Sequence, residues 1–222
     1  MHVLSDRKRL NLVFTYLVLL WGIIGLLMLI ARPFFTDHPG SFLISTALYF
    51  TTQSNILVAI VPILILKGFS HTQWFKNLAL ITLVNIVMTG TIFHIILTPY
   101  MNQISFMNHV LHTINPILYV ILYFFFLEQN LKLKSFWITL IYPLIYALMI
   151  YIIIEPLLGD MLQNIMPDFV GARYVYPFLD PTTYERGVTG LLIFNVGILA
   201  PIICFTTLIL MFLKQKLNQF IQ

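Results

Sequence analysis

A run of apolar residues long enough to cross a bilayer leaves a chain few folds, and this sequence carries six such runs. They cover about residues 10–31, 42–66, 77–97, 104–127, 136–154 and 188–213. Each holds roughly 20 residues, and a helix of that length rises about 30 Å, the depth of a hydrocarbon core. Backbone groups in hydrocarbon find no water, so only helices and closed barrels span it. Barrel strands are about ten alternating residues long, so runs this long and continuous are helices. The chain is therefore predicted to be all-α: a polytopic membrane protein of six transmembrane helices, forming a single domain over 1–222. Composition agrees, with 59% hydrophobic and only 9% charged residues, against about 25% charged in a soluble domain.

The first run is too long for the 7–15-residue core of a signal peptide, and no small-residue cleavage site follows it, so it is read as a retained helix. The net charge of +4 is settled by its distribution. Nine lysines and arginines precede the first run, follow the sixth, or lie in the second-to-third and fourth-to-fifth connections. Only Arg32, Arg173 and Arg186 fall on the other side. The positive-inside rule then puts both termini in the cytoplasm of a cell membrane. The basic residues are topology signals, so no nucleic acid partner is expected. Cys204, the single cysteine, makes neither an internal disulfide nor a metal site alone.

One connection is long. The outer segment at about 155–187 carries Glu155, Asp160, Asp168, Asp180 and Glu185 against two arginines, with Tyr174, Tyr176 and Phe178 between prolines. A loop of that length is usually functional. Its "PLLGDMLQNIM" stretch reads as a short interfacial helix, and its tyrosines read as an anchoring belt.

Polar groups within the runs are where function is sought. Thr51, Thr52, Gln53, Ser54 and Asn55 are consecutive in the second run, His94 lies in the third, and Asn108, His109, His112 and Asn115 lie in the fourth. At 1.5 Å per residue, Thr51 and His112 both fall about 12–14 Å below the outer surface. Thr51 and Asn55 share a helix face, and Asn108, His112 and Asn115 are spaced i, i+4, i+7. Interhelical hydrogen bonding, worth about 0.6 kcal/mol per bond, suffices for Asn85, Thr89 and Asn195. It is a strained account of five adjacent polar residues facing a histidine pair.

The motifs "YFTTQSNILV", "NHVLHTINP" and "YPFLD", in that order, resemble the family of androgen-induced gene proteins and androgen-dependent regulators of tissue factor pathway inhibitor. The likeness covers most of the chain and is of a bacterial type, which places the protein in a bacterial cell membrane. The resemblance implies an intramembrane hydrolase of lipid esters, similar to hydrolases of fatty acid esters of hydroxy fatty acids, with a threonine nucleophile and a histidine base. Carried over by motif, those residues are Thr51 and His112. Thr52 directly follows Thr51, so the nucleophile is open between the two, and Pro116 stands one residue nearer the histidine than in the animal pattern. Supporting roles fall to Ser54 and Asn55 as oxyanion donors, and to Asn108, His109 or Asp180 around His112.

The chemistry suits these residue types. A threonine hydroxyl needs a base within hydrogen-bond reach, and a neutral imidazole takes that proton and returns it to the leaving alcohol. Membrane lipids are then the surroundings and a lipid ester the substrate, with no cofactor and no metal. Two alternatives remain. His109 and His112 have the i, i+3 spacing of helical metal sites, which His94 would extend toward zinc coordination. The other is a non-enzymatic multi-pass protein, a transporter or scaffold.

Overall fold

The computed structural model describes residues 2–98 and 103–221, with side chains from residue 8 onward apart from 96, 97 and 221. The side chain of Arg7, and part of the connection between the third and fourth runs, lie outside the described residues. What is described is helical, with no strands. The elements are α1 (His2–Ala31), α2 (Pro39–Leu48), α3 (Phe50–Leu66), α4 (Gln73–Ile95), α5 (Phe106–Phe126), α6 (Leu133–Ile165) and α7 (Val188–Phe220). Five helices are long and apolar enough to cross a membrane, or six when α2 and α3 count as one bent span. Their apolar surfaces are largely turned outward: only 28% of the most apolar stretch of α1, 22% of that of α6 and 17% of that of α7 is buried. Side chains such as Leu27, Leu144, Val196 and Phe205 are more than half exposed. Helices apolar on every face but buried on one suit a hydrocarbon surrounding, as in a multi-pass membrane protein.

α4 is the central helix, 61% buried along its apolar stretch. It packs against α3 and α5 through Val58, Val61, Leu80, Leu83, Ile86 and Leu122, and Tyr119 Oη donates to the Ala79 carbonyl at 3.1 Å. Phe14 of α1 stacks on Phe126 at the end of α5. Gln215 and Asn218 of α7 donate to the Leu131 and Gln129 carbonyls. The two termini therefore share one end of the bundle, and the 166–187 connection lies at the other.

Two features depart from the sequence reading. The second run is not one helix: α2 and α3 meet at 72°, because Tyr49 is extended, at φ −64° and ψ 135°. The polar string Thr51–Asn55 thus opens a helix instead of lying within one. The long connection is also shorter than expected. Glu155–Ile165 is a helix continuing α6, leaving 166–187 as the irregular segment.

Proline explains much of the local geometry. Its ring clashes with the carbonyl four residues back and it has no N–H to give, so a helix that keeps it must widen or bend. Three π turns, Val110–Ile114, Ile150–Ile154 and Asn195–Leu199, each end two residues before Pro116, Pro156 and Pro201. Each turn takes up one extra residue and lets the helix run on.

Candidate functional site

The start of α3 is held by the distant loop. Tyr49 at the N-cap offers no side-chain cap. Instead, the Phe50 N–H donates to Tyr176 Oη at 3.0 Å, which satisfies one of the orphan donors of the first turn. The Thr51 hydroxyl also lies against the Tyr176 phenol. Around this contact, Tyr49, Phe50, Tyr146, Tyr176 and Phe178 join the second apolar cluster, centred on Ile150, Ile154, Leu162, Val175 and Leu179. Tyr49 and Phe50 meet Tyr176 and Tyr146 edge to face, and Tyr176 stacks on Phe178 at 4.9 Å. Tyr176 and Phe178 therefore point inward to the helix break, and the anchoring-belt reading of Tyr176 is corrected. Burial pushes the Tyr176 phenol above its ordinary range, opposed by its hydrogen bonding to Thr51. Arg173 fixes the loop's near end by pairing with Glu155 at 2.9 Å and with Asp160.

Asn55 carries the polar string to α5. Its Nδ2 donates to the Thr51 carbonyl at 2.9 Å and the Leu111 carbonyl at 3.4 Å, while Asn115 Nδ2 donates to Asn55 Oδ1 at 2.7 Å. The Thr51 backbone is thus pinned to the residue preceding His112. The His112 ring turns toward α4, where its Nδ1 faces the Thr89 carbonyl at 3.4 Å and its plane stacks on Phe93 at 3.9 Å between centroids. Among the described residues no hydrogen bond joins Thr51 to His112. Thr52 and Ser54 are buried, and the Ser54 hydroxyl has no partner, nor do the Asn85 amide nitrogen, Thr89 Oγ1 and Asn115 Oδ1. Such orphaned polar atoms are expensive in a dry interior.

The remaining predicted site residues sit apart. Asn108 is in the first turn of α5, where its N–H is capped by Ser105 Oγ at 3.2 Å. His109 is exposed. Asp180 is buried but turns to its own loop, accepting from the Thr182 N–H at 2.8 Å and hydroxyl at 2.7 Å. No group of three His, Cys, Asp or Glu able to hold a metal ion occurs among the described residues, so the zinc alternative gains no ligand set there.

A cavity of about 450 Å³ lies on the α4–α5 flank, within the usual size of ligand sites. Val87, Ile95, Pro116, Ile117, Val120 and Ile121 make it apolar, and His94, His112 and Thr113 supply its polar groups. It is more a groove than an enclosed chamber: Ile95 and Ile117 in its wall are more than half exposed. Its floor depends on Gly90, where a Cβ would fall 2.9 Å from the His112 carbonyl oxygen and 3.3 Å from Pro116 Cγ. His94 Nε2 and Thr113 Oγ1 are hydrogen-bonded across it at 2.8 Å. Sequence reasoning noted His94 but not Thr113 as its partner; the adjacent His112–Thr113 pair and a facing histidine were the only signal. Comparison with protein-family models, curated proteins and solved structures finds no match for the chain.

Proposed function

We propose that the protein is an intramembrane lipid ester hydrolase that takes its substrate sideways into the α4–α5 cavity. The observation that carries this reading is the cavity itself: apolar, open on the outer face shared by α4 and α5, about 450 Å³, with imidazoles among its walls. An acyl chain fills the apolar part and the ester meets the polar groups. The hydroxyl implied by the resemblance is Thr51, with His112 as base. Asn55 ties the Thr51 carbonyl to α5 beside His112, while the His112 ring itself turns to Thr89 and Phe93. A bacterial cell membrane, both termini in the cytoplasm and the 166–187 loop outside complete the proposal. The test is fatty acid release from a long-chain ester by purified protein in lipid nanodiscs, with His112→Ala and Thr51→Ala alongside. Full activity in His112→Ala removes the imidazole from the reaction, and Thr51→Ala reads the part of that hydroxyl.

A second reading, transport, is favoured by the 72° break between α2 and α3, since interrupted spans with buried polar groups form transporter sites. Solute uptake into sealed vesicles, absent from protein-free vesicles, distinguishes it.

A further inference from the structure

We infer that Thr113 is the nucleophile of the α4–α5 cavity and His94 its general base, acting on an acyl ester drawn from the bilayer. This rests on the hydrolase reading of the cavity and replaces the Thr51–His112 pair with one that the cavity walls hold. Helical threonines in apolar surroundings commonly return their hydroxyl to the carbonyl four residues back. Thr15, Thr82, Thr98 and Thr207 all do so here, bonding Asn11, Leu78, His94 and Ile203. Thr113 does not. It lies in the π turn Val110–Ile114, and its hydroxyl instead reaches another helix, meeting His94 Nε2 at 2.8 Å. That is the reach a nucleophile and its base require, and both groups line the cavity where the ester would lie. Thr51, by contrast, is not among the cavity-lining residues and lies against Tyr176.

The step uses the His94 tautomer that leaves Nε2 as the acceptor of the Thr113 proton. Thr113 Oγ attacks the ester carbonyl carbon while its proton passes to Nε2. The tetrahedral adduct collapses by breaking the bond to the alcohol oxygen, which leaves with the Nε2 proton, and the acyl group stays on Thr113. Water then attacks that acyl carbon, giving one proton to Nε2, and Thr113 departs reprotonated. One ester and one water become one acid and one alcohol. His112, stacked on Phe93 and facing Thr89, shapes the wall beside the pair.

The experiment uses the full chain in nanodiscs with 4-methylumbelliferyl palmitate as substrate and a long-chain fluorophosphonate as covalent probe. Thr113→Val keeps the shape and removes the hydroxyl, Thr113→Ser restores a hydroxyl, and His94→Gln removes the base. We expect a fall of at least about 100-fold in Thr113→Val and His94→Gln, the scale of acid–base contributions. Thr113→Ser should recover to within about tenfold of wild type, and mass spectrometry should place the phosphonate on Thr113. Wild-type rates in Thr113→Val, or an adduct on Thr51, overturn the inference and leave the hydrolase reading standing. A wild-type protein that cleaves no ester and takes no probe overturns both. Unchanged melting temperature and monodisperse elution of Thr113→Val show that a lost rate is not lost folding.

Discussion

Replacing Gly90 by alanine puts a close contact between α4 and α5 under a direct test. The added Cβ would stand 2.9 Å from the His112 carbonyl oxygen and 3.3 Å from Pro116 Cγ. Neither neighbour can rotate away, one being backbone and the other a proline ring. Pro116 also has no N–H with which to hold that carbonyl within α5. α4 and α5 must therefore part by about half an ångström, and a gap of that size forfeits roughly a quarter of the dispersion well for each atom pair along it. Overpacking of this kind costs about 1–3 kcal/mol, while alanine returns about 0.4–1 kcal/mol by restricting the unfolded chain. The net expectation is a loss of about 1–2 kcal/mol. Gly197, in the π turn of α7, is the internal control, because a Cβ there meets nothing within 4 Å and only the gain applies. Reversible unfolding of both variants in one mixed-micelle system should separate them by about 1–3 kcal/mol, with Gly197→Ala the more stable. A Gly90→Ala protein equal to or more stable than Gly197→Ala would refute the argument that backbone contact sets the helix spacing at the cavity.

Tyr176→Phe removes the acceptor of the Phe50 N–H and should cost about 1–3 kcal/mol, the penalty of a buried donor left unpaired; unchanged stability in thermal unfolding would deny that the loop holds the helix break. The same residue gives a pH dependence with a defined sign. Burial raises its phenol above the ordinary value near 10, so the folded state keeps the proton more tightly than the unfolded one. Its contribution is complete below about pH 10 and is lost as pH climbs beyond it. The stability difference between wild type and Tyr176→Phe should therefore hold up to about pH 10 and shrink progressively above it. A double-mutant cycle on Asn55 and Asn115, joined at 2.7 Å, should return a coupling of about 0.6 kcal/mol and at most about 1.7 kcal/mol; zero coupling would mean the amide bond does not tie α3 to α5.

Hydropathy made the helices legible because each must satisfy its own backbone, and long apolar runs have no other way to do so. The break at Tyr49 was not legible: neither glycine nor proline stands at 48–50, and the group capping α3 lies 126 residues away, at Tyr176. The polar string was visible as an anomaly, but its meaning as a helix start depends on that remote phenol. The stripe Asn108, His112, Asn115 failed for another reason. The π turn Val110–Ile114 inserts one extra residue, so the regular spacing that aligned the three no longer applies. Asn115 consequently faces Asn55 on α3, while His112 faces Thr89 and Phe93 on α4. Pro116 was the available hint that the helix would widen there. The loop tyrosines misled because amphipathic aromatics suit a membrane interface and a buried cluster equally well.

The position of the α4–α5 cavity on the outer face of two apolar helices also bears on how its occupancy must be counted. On the proposed hydrolase reading, whatever fills it comes from a two-dimensional pool, so the governing variable is mole fraction among the surrounding lipids, not molarity in the buffer. Diluting a vesicle suspension with water leaves that fraction unchanged. Adding inert lipid or detergent lowers it, and saturation curves plotted against bulk concentration would shift with every change of amphiphile while the protein itself stayed the same.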